Sequence, residues 1–205
     1  MDYEIFANEE AVKKVESALK DKGYDVTVVK TGAKALDKIK DLIPEGATTM
    51  NGSSVTLEQI GYFRFIESGQ NKWKDLHGDI RKEDDPIKRT ELRRKATLSD
   101  FYLGSVHALT YNGEFIVASN TASQIPHIAY TSPNLIFVVS TKKIVPDIES
   151  GFKRLENYVY PLVDKDLMDK YGKHTAISKV LVFKREPEYL GRKIHFILVN
   201  ENLGY

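Results

Sequence analysis

Asn51-Gly52-Ser53-Ser54-Val55-Thr56-Leu57 places a glycine and three hydroxyls between a strand-like stretch, Ala47 to Met50, and a helical pattern carrying Leu57, Ile60 and Phe63. Strand, glycine loop and helix start form an anion-binding arrangement. Glycine lets the backbone approach a ligand, the free amides of the first helical turn point outward, and the helix dipole favours negative charge. Gly52, Ser53, Ser54 and Thr56 are therefore candidate ligand-binding residues. The same string also reads as a capping box, with Thr56 as the cap and Gln59 three positions on, which satisfies the helix end without a ligand. It is neither a P-loop nor a dinucleotide fingerprint, because no Gly-Lys-Ser/Thr closes it and Gly-x-Gly-x-x-Gly is absent. A second polar loop, Ala118 to Gln124, also follows a strand and leads into a short helix. Ligands of open α/β sheets collect outside the carboxyl ends of strands, so Thr121, Ser123 and Gln124 are expected to face the same crevice, although turns and caps use the same residue types.

Lys142 and Lys143 follow the apolar run Leu135-Ile136-Phe137-Val138-Val139 and bring positive charge to that end of a buried strand. Lys143 and Asp100 are the candidates for acid–base chemistry, against the plainer reading of solvated side chains. The basic residues Lys88, Arg89, Arg93, Arg94 and Lys95 are interleaved with Glu83, Asp84, Asp85 and Glu91, which describes a solvated helix face. His77, His107, His127, His174 and His195 show no metal-ligand spacing, so no metal is expected. A nucleophilic Ser53 or Ser54 lacks the Gly-x-Ser-x-Gly elbow.

The 205 residues contain no cysteine, which excludes disulfides, thiol nucleophiles and thiolate-held clusters on this chain. Thirty Lys and Arg against 29 Asp and Glu give a net charge of +1, so no global field draws nucleic acid or an anionic membrane. No signal-like amino terminus and no run of about 18 apolar residues is present. A cytoplasmic protein is expected, binding neither nucleic acid nor membrane.

The elements that must position these residues alternate. After Asn8, a cap, Val12, Val15 and Leu19 recur at helical spacing until Gly23; Tyr24 to Val29 is a strand; Thr31 caps a second helix with Leu36, Ile39 and Ile43 that Pro44 stops. Such alternation argues for a parallel sheet with crossover helices. Ser68 to Asp85 is unpatterned. Asp85-Pro86 opens a charged helix to about Ala96, and Asn112-Gly113 is a hairpin signal that makes the sheet mixed. A short helix is expected near Ile125 to Tyr130, another from Asp147 to Tyr158 despite Gly151, and strands at Val180 to Phe183 and Ile194 to Val199. The expected fold class is α/β: one domain over residues 1–205, a mixed, mostly parallel sheet with helices on both faces, residues 1–43 being its first helix-strand-helix part.

Asp100-Phe101-Tyr102-Leu103-Gly104-Ser105-Val106-His107-Ala108-Leu109-Thr110, Asn112 to Ser119, Ser123-Gln124-Ile125-Pro126, Leu135 to Val139, Lys143-Ile144-Val145-Pro146, Tyr158-Val159-Tyr160-Pro161-Leu162 and Leu198 to Tyr205, together with Gly52 to Leu57, closely resemble the lactate-utilisation (LUD) domain family. The resemblance runs from about residue 44 onward. It implies a fold similar to the glucosamine-phosphate isomerase, ribose-phosphate isomerase and CoA-transferase group, in which a homodimer is expected. It also implies a role in oxidation of L-lactate to pyruvate, as a non-redox subunit beside iron-sulfur-containing lactate-oxidation subunits. Its fold neighbours bind phosphorylated sugars, CoA esters or folate with ATP, so a small anionic ligand of phosphate or CoA type is expected at the two polar loops, with no cofactor held covalently or through cysteine. The alternative is a free-standing enzyme on a phosphorylated or CoA-linked substrate. No counterpart of the CoA-transferase glutamate is found, since Glu114 follows a hairpin turn.

Overall fold

The computed structural model of the chain describes residues 2–205. The helical periodicity after Asn8 becomes α1 (Glu9–Asp21), whose first amides are met by the Asn8 side chain accepting from Ala11 N. Strand β1 (Asp25–Val29) follows, then α2 (Gly32–Leu42) behind a Thr31 cap, and β2 (Thr48–Asn51). Two short helices, α3 (Val55–Gln59) and α4 (Tyr62–Glu67), lead to β3 (Lys74–Asp75), α5 (Leu76–Lys82) and α6 (Pro86–Lys95). Strands β4 (Phe101–Gly104), β5 (Ala108–Thr110), β6 (Phe115–Ser119), β7 (Asn134–Ser140) and β8 (Ile144–Val145) come next. The chain ends with α7 (Ile148–Arg154), α8 (Tyr160–Tyr171), β9 (Lys179–Phe183) and β10 (Lys193–Val199).

Six strands form one sheet in the order β1-β10-β7-β4-β2-β3, every neighbour parallel. The hairpin at Asn112-Gly113 does not enter it. Its strands build a separate four-stranded sheet, β8-β5-β6-β9, which carries the antiparallel pairs.

Period-two side-chain alternation decides the layers. Ile136 and Val138 of β7, with Ile197 and Val199 of β10, face α2, α3 and α4 through Ala35, Ile39, Leu57 and Tyr62. Leu135, Phe137 and Val139, with Phe196 and Leu198, face the other way, against α1 and the second sheet. There Phe115 lies 5.1 Å from Phe137 and 4.7 Å from Phe183, ring centre to ring centre. Each fully buried Leu, Ile, Val or Phe contributes roughly 1.5–3 kcal/mol. Leu155 and Val159 close the outer face of the second sheet against Ala108 and Ile116. Gly151 allows this approach, since a Cβ there would stand 2.7 Å from Ile116 Cδ1.

Two expected helices take other forms. The short helix near Ile125 is a π-helical turn, His127–Thr131. The helix from Asp147 opens into a π turn at Leu155–Val159 and continues as α8, with Pro161 in its first turn. Proline lacks an N–H to donate to the preceding turn, and the widened turn accommodates it there.

Candidate functional site

Because all six strands of the large sheet are parallel, their carboxyl ends meet on one edge of the molecule. The segments leaving that edge are Asn51 to Ser54, Ser105 to His107, Thr141 to Lys143, and the stretch after Val199. Strand β7 ends at Ser140, and a 3-10 turn, Thr141–Lys143, turns both lysines inward.

Lys143 is 4% exposed. Its Nζ donates to Thr56 Oγ1 at 3.0 Å and Ser105 Oγ at 3.1 Å. No carboxylate among the described residues stands within ion-pair distance of it. Burial, with the neighbouring Arg154 and Lys142 charges, holds its pKa well below the usual lysine value. An ammonium has three N–H donors, so one is left beyond the two hydroxyls. Gly204, at φ 63°, lies against the same group: a Cβ there would be 2.7 Å from Lys143 Nζ. Its N–H donates to Gln59 Oε1 at 2.6 Å. The final segment is fastened over the sheet edge by Ser140 Oγ donating to the Glu201 carbonyl (2.6 Å) and Gly32 N–H donating to Glu201 Oε2 (2.5 Å).

Two further cations flank Lys143. Lys142, also buried, donates to Asn202 Oδ1 at 2.5 Å, Glu4 Oε2 at 3.2 Å and Tyr158 Oη at 3.4 Å. Burial lowers its pKa, and Glu4 opposes that shift. Arg154, at the end of α7, is fully enclosed and donates from Nη1 to the His107 carbonyl at 2.6 Å. Burial lowers its pKa to about 10. Of these three buried cations only Lys142 is paired with a carboxylate, that of the half-exposed Glu4.

His107 joins the group from the strand side. Its Nδ1 accepts from Ala118 N at 3.1 Å, so the ring proton of the neutral imidazole sits on Nε2. Burial, then Lys143 and Arg154, push its pKa down to about 3. Beside it a cleft of about 90 Å³ is lined by His107, Ser119, Asn120, Tyr160 and the apolar Leu155 and Val163.

The sequence candidates divide between this edge and the rest of the molecule. Thr56 is in the cluster, bonded to Lys143, and is not a cap. Ser54 caps α3 instead, accepting from Leu57 N at 3.3 Å. Thr56 lies one residue inside the helix, and its hydroxyl turns down to the lysine. Gly52 meets the second loop: Gln124 Oε1 and Tyr102 Oη lie over its Cα. Gln124 Nε2 donates to the Ala118 carbonyl at 2.9 Å. Ser53 is exposed. Thr121 and Ser123 are exposed too, bonded to each other at 3.3 Å in a turn that carries Ala122 at φ 63°. Asp100 lies at the opposite end of the sheet, where Oδ2 accepts from Thr48 N (2.8 Å) and Thr48 Oγ1 (2.7 Å). These bonds hold its pKa below the ordinary value. Arg154, Ser105, His107 and Gly204 were not singled out from the sequence. Arg154 sits in a helix that reads as ordinary amphipathic surface, and only contact with the sheet edge reveals it.

The protein comparisons agree on the fold and family. Among solved structures, a DUF162 family protein from Deinococcus radiodurans is similar with a TM-score of 0.56 at 14% identity, covering 95% of this chain and 99% of that one. No curated protein sequence matches. Among the described residues, no helix is long and apolar enough to cross a membrane. A sequence model of the LUD domain matches residues 12–176, most of the chain and every strand of the large sheet except β10. The chain therefore belongs to the LUD domain family, the family associated with lactate utilisation.

Proposed function

We propose that the chain serves lactate utilisation as a non-redox subunit or accessory that binds a small anionic or phosphorylated ligand at the carboxyl edge of its parallel sheet. The observation that carries this reading is Lys143: a buried amine with two hydroxyl partners, a third donor direction to spare and no carboxylate beside it. An anionic oxygen placed there would restore the lost solvation of the ammonium. Thr56 and Ser105 would orient it, and the Gly52 to Ser54 loop would stand at the entrance. Because the chain has no cysteine, thiolate-held redox centres would come from iron-sulfur subunits. Similarity to the glucosamine-phosphate isomerase, ribose-phosphate isomerase and CoA-transferase group is part of this proposal, as is a cytoplasmic homodimer.

A second reading is favoured by the lowered pKa of Lys143 and the neutral His107 near it. A buried amine with a lowered pKa gives up its proton more readily and can then act as a base or nucleophile on a phosphorylated or CoA-linked substrate. The chain would then turn over substrate unaided.

Thermal-shift titration with phosphate, ATP, CoA, sugar phosphates, lactate and pyruvate separates the readings. A ligand at 100 times its dissociation constant adds about 2.7 kcal/mol of stability. The shift is expected to be lost in Thr56→Ala and Lys143→Met. Binding is also expected to take up protons in alkaline buffer, because the anion favours the charged amine. A response untouched by both variants would move the site elsewhere. Turnover by the purified chain, lost in Lys143→Met, would favour the enzyme.

A further inference from the structure

The two arginines that leave the least surface to solvent are bonded in opposite ways. Arg192 is fully committed: Nε donates to the Ser132 carbonyl, Nη1 to Glu186 Oε2, and Nη2 to the carbonyls of His127 and Ile128, all within 3.0 Å. That is a structural tie holding the π turn at His127. Arg154 is more deeply buried, yet only Nη1 is bonded; Nε and Nη2 have no acceptor among the described residues. The unmatched pair is informative. The N–H of Nε and one N–H of Nη2 lie parallel on the same edge of the guanidinium, the edge that receives both oxygens of a carboxylate.

The guanidinium is flanked by the Tyr158 ring of the π turn and by an irregular segment, residues 2–7. The Tyr3 ring stands 5.9 Å from Arg154 Cζ, beside the Tyr158 ring at 5.1 Å. Glu4 Oε2 accepts from Lys142 Nζ at 3.2 Å and Asn202 Nδ2 at 2.9 Å, and Ala7 N–H reaches the Thr141 carbonyl at 3.4 Å. The segment contains neither helix nor strand, and Glu4 itself is 48% exposed on its side chain. A carboxylate already sits beside this cationic group, supplied by a segment with few attachments.

We propose that the Nε/Nη2 edge of Arg154 receives the carboxylate of a small ligand, and that residues 2–7 are a displaceable strap whose Glu4 carboxylate competes for the same cationic group. The proposal rests on the reading of the carboxyl edge as a ligand site, and it adds the chemical class. The Tyr3 and Tyr158 rings, 5.4 Å apart centre to centre, stand side by side near the guanidinium, and its two-pronged planar edge suits a carboxylate lying in its plane.

The test follows the arginine Nε–H resonances of the 205-residue chain by NMR during titration with acetate and malonate, with inorganic phosphate at matched ionic strength for comparison. The expected result is a saturable shift of the Arg154 resonance with Arg192 unmoved. Glu4→Gln is expected to tighten carboxylate binding several-fold, and Arg154→Lys, read from backbone amide resonances because it lacks the Arg154 Nε–H, to weaken it roughly tenfold, since a point charge replaces a two-pronged donor. Should Arg154→Lys not fold, the resonance and the Glu4→Gln variant still decide. An Arg154 resonance that stays still in both the unaltered chain and Glu4→Gln overturns the proposal. So does a response to phosphate alone. A carboxylate response that survives Arg154→Lys but disappears in Thr56→Ala removes this proposal and leaves the Lys143 site standing; loss of every response in the unaltered chain removes both.

Discussion

The two ends of the parallel sheet differ in their polar residues, Asp100 with neutral groups at the amino end and a cluster of cations at the carboxyl end. At the amino end Asp100 accepts two bonds from Thr48, its own N–H donates to Thr48 Oγ1, and its carbonyl accepts from Asn134. His127 adds a bond to Ser132 and stacks on Tyr102. At the carboxyl end Lys142, Lys143 and Arg154 crowd together with one half-exposed acid, and Arg154 keeps two unmatched donors. One end bonds most of its polar groups to one another, leaving His127 Nε2 and Thr131 Oγ1 buried without a partner, but its unmatched atoms are neutral. The other leaves two donors of a buried cation without acceptors, each costing roughly 1–3 kcal/mol, and an anionic ligand would offset that cost.

Four changes test this contrast, in descending order of effect. Gly204→Ala puts a methyl against Lys143 and Thr56 at a left-handed position, and a loss of about 3 kcal/mol is expected in chemical denaturation; a loss below about 0.5 kcal/mol would mean that the final segment does not close the site. At the amino end, burial lowers the His127 pKa to about 4. Between pH 6.5 and about 4 the unfolded chain binds more protons, so stability falls as pH drops, by up to about 3 kcal/mol from this residue. His127→Gln should flatten that acid slope. Lys143→Met should act on the alkaline side. With its folded pKa lowered, Lys143 makes stability rise with pH up to the unfolded value of 10.5, and the variant should lose that slope while gaining about 1 kcal/mol at neutral pH. A loss of stability in Lys143→Met would show that the lysine is structural. Asp100→Asn should cost about 1 kcal/mol. Its lowered pKa stabilises the fold above about pH 3.8 and loses that contribution as pH falls further, so the difference from the unaltered chain should vanish in acid while ligand responses stay unchanged.

Much of the scaffold was legible because its signals are local. Asn8, Thr31 and Asp85 cap the helices they precede, and Asn112-Gly113 makes the hairpin. What escaped depends on distant contacts. A two-residue strand, β3, and the helix α5 occupy the unpatterned Ser68 to Asp85 stretch, and Pro161 masked the continuation into α8. The hairpin's assignment to a second sheet follows from which aromatic faces meet, Phe115 on Phe137 and Phe196, and no short window shows that. In the candidate site, the sequence puts Thr56, Gly52 and Gln124 at the carboxyl edge from loop position, and Lys143 from its place after a buried strand, and the fold brings Thr56 and Lys143 into contact. Arg154 was invisible because its burial is produced by α7 packing on β5 and β6 and by the segment carrying Tyr3.

Strand β1 has a single neighbour, β10, with Asp25 opposite His195, 170 residues later. At a synthesis rate of about 5–20 residues per second, the first helix-strand-helix unit waits on the order of 10–30 s for the strand that will hold it. Contacts this far apart in sequence also slow folding, because the loop must close before the pairing is rewarded. Since Asn200 N–H donates to the Val29 carbonyl, and Glu201 accepts from Ser140 Oγ and Gly32 N–H, the step that docks the early unit also finishes the lysine-bearing edge. The edge that carries Lys143 and Thr56 is thus completed only after β10 and the segment through Gly204 have been made, well after the lysine itself.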